Sequence, residues 1–173
     1  KLKYGLEIIK SRNHLVGVNT HMANHITQHA LRNNLIKELK NNDLIKPEVF
    51  FNKETRFDFL LEKNKQKSFL EVKNVTLFRS KEIAEFPDAV TSRGSKHINN
   101  LINATKKGYK SYLFFVIQRD DCNKFSIAKD IDPQYAKLLT VALKNNVKVI
   151  CYDCKFSSKG IKLNKKVKVQ INV

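Results

Sequence analysis

Alternation along SFLEVKNVTLF, residues 68–78, predicts a strand with Phe69, Glu71, Lys73 and Val75 on one face. Leu70, Val72 and Asn74 fall on the other. Two charges thus stand between Phe69 and Val75 on an otherwise apolar face, either as a structural ion pair or for chemistry. Upstream, residues 4–18 read as one or two strands with a polar turn near Ser11–His14. Residues 19–39 read as a helix, with Asn19 or Thr20 as N-cap and Met22, Ala23, Ile26, Ala30 and Leu31 as its apolar stripe. Beyond Pro47 the period shortens, and EVFF, RFDFLLEK and SFLEVKNVTLF form three strands joined by hairpin-like NKET and KNKQK. EIAEFP reads as a loop leading into a helix that stops at Gly108.

YKSYLFFVIQRDD is apolar almost throughout, as in a central strand covered on both faces. Asp132 before Pro133 marks another helix start, and VKVICYDCKF is a second buried strand followed by a short hairpin. The order helix, three strands, helix, strand, helix, strand predicts one α/β domain over residues 1–173, with a mixed central sheet flanked by helices. Residues 1–18 form its entry strands.

Composition narrows the class. The chain has 173 residues, 42% hydrophobic and 28% charged, enough for a full core. No apolar run approaches the ~20 residues of a membrane span, so no membrane partner is expected. Three cysteines without a secretory signal indicate a reducing, cytoplasmic setting. Cys151 and Cys154, three apart on a strand, face opposite ways and make no zinc half-site. The chain opens on Lys rather than Met, which implies sequence upstream. No feature specifies an oligomeric state.

The net charge of +17 points to a polyanion, nucleic acid above all. Of the 33 basic residues only six are Arg, so much of the charge is also what an AT-rich genome would encode. The arginines Arg56, Arg93 and Arg119 therefore carry more weight than any lysine. Arg56 and Arg119 read equally well as strand-end charges. Arg93, Lys96 and His97 cluster near a helix start, where N–H groups and basic side chains bind phosphate. The lysine-rich segment after Asp153 is either a phosphate surface or a protected edge. His21, His25 and His29 recur every four residues and read as a polar helix face.

Chemistry concentrates at Asp58 and Glu71. If RFDFLL and SFLEVKN pair as a hairpin, with Asp58 facing away from Phe57, Phe59 and Leu61, the two carboxylates meet on the sheet. Two such groups repel unless a cation lies between them. Mg²⁺ needs only one or two carboxylates and completes its shell with water and phosphate oxygens. Lys73 stands ready to orient water or stabilise charge. Asp followed thirteen residues later by Glu-x-Lys, with this order of elements, resembles the PD-(D/E)XK nucleases and their restriction-endonuclease-like core.

RFDFLL, FLEVKNVTL, FPDAVTSRGSKHINNL, LFFVIQRDD and IDPQYAKLL together resemble the sugar fermentation stimulation protein A family over nearly the whole chain. That resemblance implies a DNA-binding protein associated with sugar catabolism, with a nuclease-like domain preceded by an OB-like barrel that is absent here. It implies Asp58, Glu71 and Lys73 as catalytic residues, with Asp58 and Glu71 holding Mg²⁺ or Mn²⁺ for phosphodiester hydrolysis. Many nucleases of that superfamily add a first-helix carboxylate, but residues 20–37 contain none and Glu38 comes late. Asp88 is a candidate substitute, or else the bracket of the helix that follows. Asn74 and Gln118 are candidates for hydrogen bonding in the site. The alternative is a non-catalytic DNA-binding regulator that retains the nuclease fold.

Overall fold

A computed structural model describes residues 3–171. The entry hairpin is β1 (Ile8–Ser11) with β2 (His14–Gly17), followed by α1 (Met22–Arg32). β3 (Leu44–Phe50), β4 (Arg56–Lys63) and β5 (Gln66–Val75) then form an antiparallel meander. Asn64 and Lys65, both with positive φ, make the two-residue turn between β4 and β5. After β6 (Leu77–Ser80) and β7 (Ile83–Phe86) come α2 (Ser92–Lys106), β8 (Lys110–Ile117), β9 (Lys124–Ile127) and α3 (Pro133–Lys144). The chain then forms β10 (Lys148–Ser157), β11 (Gly160–Lys166) and β12 (Lys168–Gln170).

The central sheet has the order β11-β10-β8-β5-β4-β3, with β5, β8 and β10 parallel and the outer strands antiparallel. It is the mixed α/β sheet that the apolar pattern predicts. Every residue of β8 from Ser111 to Ile117 is buried, because both faces are covered. On one side lie α1 and the core of Leu70, Val72, Phe114 and Ile150. On the other, α2 and α3 enclose Phe69, Val75, Leu113 and Phe115. Cys151 belongs to the second core and Cys154 to the first, on opposite faces as their spacing requires.

Three expectations are corrected. The first helix ends at Arg32 rather than near Leu39: Asn34 turns to φ 56°, and Lys37–Leu39 is a separate 3-10 turn. EIAEFP is strand β7, not loop. It belongs to a second sheet, β12-β9-β7-β6, which the pattern did not reveal because each strand has only three or four residues. Phe57 and Phe59 do not share a layer either. Phe57 packs in the α2/α3 core and Phe59 in the α1 core, so β4 changes face at Asp58.

The starts of α2 and α3 are fastened together by one carboxylate. Asp132, 2% exposed, caps its own helix by accepting the Tyr135 N–H at 2.8 Å and also accepts the Thr91 N–H at 2.9 Å. Thr91 in turn caps α2 through the Gly94 N–H. At Gly94 a Cβ would lie 2.8 Å from Thr91 and 3.1 Å from Tyr135, so glycine lets the helices meet this closely. Asp132→Ala leaves one buried and one part-buried donor without acceptors and should cost about 3 kcal/mol. Urea unfolding checks this, and Asp132→Asn should retain most of the stability.

Candidate active site

The ladder between β4 and β5 runs from Lys63↔Gln66 to Phe59↔Leu70 and then stops. Beyond it the Asp58 carboxylate, not a backbone carbonyl, accepts the Val72 N–H at 2.7 Å. On the far side of β4, Pro47↔Phe59 and Val49↔Phe57 bracket Glu48, whose φ is 54°. These irregularities open the sheet at Asp58, and groups from both layers converge there. From α1, the Asn24 amide donates to Asp58 Oδ1 at 2.7 Å. From β5, Glu71 and Lys73 enter on one face, with Lys73 Nζ 2.6 Å from Glu71 Oε1. From α2, His97 Nδ1 donates to that same Glu71 oxygen and lies 3.4 Å from Lys73 Nζ.

The electrostatics follow from burial. Asp58 is pushed up to about 6, first by burial and then by the charge of Glu71, against the opposing pull of the Val72 N–H and Asn24. Burial would likewise raise Glu71, which is only 2% exposed. Its hydrogen bond from His97 and the charge of Lys73 outweigh that effect and hold it below the usual carboxylate range. Both partners use Oε1, and Glu71 Oε2 is buried with no hydrogen-bond partner among the described residues. The donor set therefore suits a hard divalent cation: two mutually repelling carboxylates, one with an unused buried oxygen. Among the described residues no three His, Cys, Asp or Glu side chains are spaced to enclose a metal. Asp58 and Glu71 would therefore leave the remaining positions to water and substrate oxygens, which Mg²⁺ accepts.

The family model described as the sugar fermentation stimulation protein RE domain matches residues 21–160. The chain belongs to the sugar fermentation stimulation protein (SfsA) family. The sugar fermentation stimulation protein homolog of Pelagibacter ubique is 63% identical over 169 residues, covering 98% of this chain and 73% of that relative. The homolog from Brucella anthropi is 37% identical over 171 residues, with 98% and 74% covered. The structure of Pyrococcus furiosus SfsA, in complex with Ca²⁺, superposes with a TM-score of 0.90 at 27% identity. That match covers 99% of this chain and 74% of that one.

Within this SfsA-family chain the other candidate residues separate. His97, expected beside phosphate, is buried against Glu71. Lys96 is exposed and paired with Glu54 at 2.9 Å, and Arg93 is exposed on the first turn of α2. Arg56 is held at 2.7 Å by Glu48. Arg119 is bound by Asp121 at 2.7 Å and lies over the Phe78 ring, away from Asp58 and Glu71. Asp88 is exposed, has no hydrogen bond to the carboxylate pair among the described residues, and is not the helix cap, which is Thr91. Glu38 is directed to Tyr152 and Lys166. His21, His25 and His29 are all exposed.

Gln118 and Asn74 form a brace just beyond the site. Gln118 Nε2 donates to Asn74 Oδ1 at 2.6 Å and to Asn19 O at 3.2 Å, tying the end of β5 to the entry of α1. A Cβ on Gly17 would lie 2.6 Å from Gln118 Oε1, so the brace needs glycine at that position. Asn24 is the site residue that sequence reading missed. It reaches Asp58 from the first helix, and an amide gives no signal of its own in a chain rich in Asn.

Proposed function

We propose that this domain is a metal-dependent nuclease acting on DNA. The observation that carries the reading is the convergence of Asp58, Glu71 and Lys73 at the opening of the sheet, with Glu71 Oε2 left free for a cation. Ca²⁺ in the Pyrococcus relative adds support for divalent-metal use. Asp58 and Glu71 would hold Mg²⁺ or Mn²⁺, which when bound supplies an acidified water and neutralises charge building on a phosphate. Lys73 would orient the nucleophilic water or stabilise the developing negative charge. Asn24 and the Val72 N–H fix Asp58, and His97 fixes Glu71. The chain's net charge of +17 favours a polyanionic partner.

One observation favours a second reading, a DNA-binding regulator without catalysis: the first helix presents Asn24 where an acid would strengthen metal binding. A cleavage assay with Mg²⁺ and with Mn²⁺ on single-stranded, double-stranded and branched DNA decides between them. The nuclease reading expects cleavage by wild type and none by Asp58→Asn. Equal inertness of both proteins, with DNA still bound, gives precedence to the regulator. Binding itself should weaken with salt, log K falling against log [salt] by about 0.9 for each phosphate neutralised. A flat response would remove nucleic acid from both readings.

A further inference from the structure

We infer that Phe50 and Arg56 form a stacking platform for an unpaired nucleobase beside the carboxylate pair, so that the preferred substrate is single-stranded or locally opened. This rests on the nuclease-type reading and deepens it by naming the strand form. Phe50 ends β3 with 67% of its surface open, although it borders a strand pair whose neighbouring side chain, Phe57, is fully buried. It pairs in register with Arg56, so the two side chains share a face, opposite to that of Val49 and Phe57. The Arg56 guanidinium carbon lies 5.9 Å from the centre of the Phe50 ring.

Arg56 is an exposed charge with one ion-pair partner. Its Nε lies 2.7 Å from Glu48 Oε2, and no hydrogen bond among the described residues uses its terminal amino groups. A guanidinium held through Nε offers its other edge to a phosphate. Glu48 reaches it from a backbone position with φ 54°, a conformation unfavourable for a glutamate and the kind of local strain that accumulates at functional sites. Arg56 precedes Asp58 by two residues, about 7 Å along the strand, at the end of β4 where the ladder to β5 has stopped, and on the face opposite to that of Phe57. A strand crossing the opening at Asp58 would reach Phe50 one nucleotide further on. An aromatic ring with an arginine plane beside it stacks any base but has no access to one inside a duplex.

Fluorescence anisotropy with a labelled ten-nucleotide single strand and a blunt duplex of the same length, in the presence of Ca²⁺, tests this on the full chain. Phe50→Ala should weaken single-strand binding by roughly ten- to a hundredfold, the worth of one stacked base. It should change duplex binding by less than about twofold, and Phe50→Tyr should restore single-strand affinity. Phe50 is exposed, so thermal unfolding of Phe50→Ala should match wild type. Unchanged single-strand affinity in Phe50→Ala, or equal loss on both strand forms, overturns the platform and leaves the nuclease reading standing. Wild type that binds neither form overturns both.

Discussion

Asp58→Asn is expected to stabilise the metal-free chain at neutral pH while removing any cleavage. Asp58 binds its proton more tightly in the folded chain, being pushed from 3.8 up to about 6. Between pH 4 and 6 the native state therefore holds a proton that the unfolded chain has released. Stability falls as pH rises through that window, and above it the full penalty of about 3 kcal/mol persists. Asparagine carries no charge to bury. Its carbonyl can still accept the Val72 N–H, and the Asn24 amide can turn to present its oxygen. Urea titrations of both proteins at pH 4, 5, 6 and 7 should show nearly equal stability at pH 4 and a widening advantage for the mutant towards pH 7. Added Mg²⁺ should raise the stability of wild type and leave Asp58→Asn unchanged. A mutant less stable than wild type at pH 7 would mean that Asp58 is not held at an electrostatic cost.

The second large effect is expected at Lys73. Its ammonium, on the same strand as the buried Glu71 carboxylate, lies 2.6 Å from Oε1. Lys73→Met keeps most of the packing volume but leaves Glu71 with His97 alone. Losing one partner of a buried pair should cost about 3 kcal/mol, and cleavage should fall by about 10²- to 10³-fold if the ammonium stabilises charge in the transition state. The double variant Glu71→Gln with Lys73→Met separates the two contributions. It should regain much of the lost stability, because no uncompensated charge remains, and none of the activity. Additive stability losses in that cycle would show that Glu71 and Lys73 act independently.

The central sheet was legible because its strands are long and their environments uniform. The six-residue apolar run Tyr112–Ile117 in β8 fits a strand covered on both faces, and Asp132–Pro133 is an unambiguous helix start. The second sheet was hidden because IAEF and KFSI are too short for period-2 patterning to stand out beside Pro87 and the polar turns. At the site, Asp58, Glu71 and Lys73 followed from alternation and hairpin pairing. What alternation could not give is the change of face at Asp58, since it depends on a carboxylate replacing a backbone acceptor. His97 was visible as a candidate, but its target was not. Whether it faces solvent or Glu71 depends on how Asp132 and Gly94 seat the start of α2 against α3.

The crowding of Lys73 and His97 on one oxygen of Glu71 has a consequence for cation supply. The buried carboxylate is already compensated from within, so the fold does not depend on a metal as small zinc domains do. Chelation should remove only the increment of stability that a bound cation adds and leave the chain folded. On the nuclease reading, a cell starved of divalent ions would keep this protein folded, and a returning ion would meet a Glu71 Oε2 that no other group among the described residues has claimed.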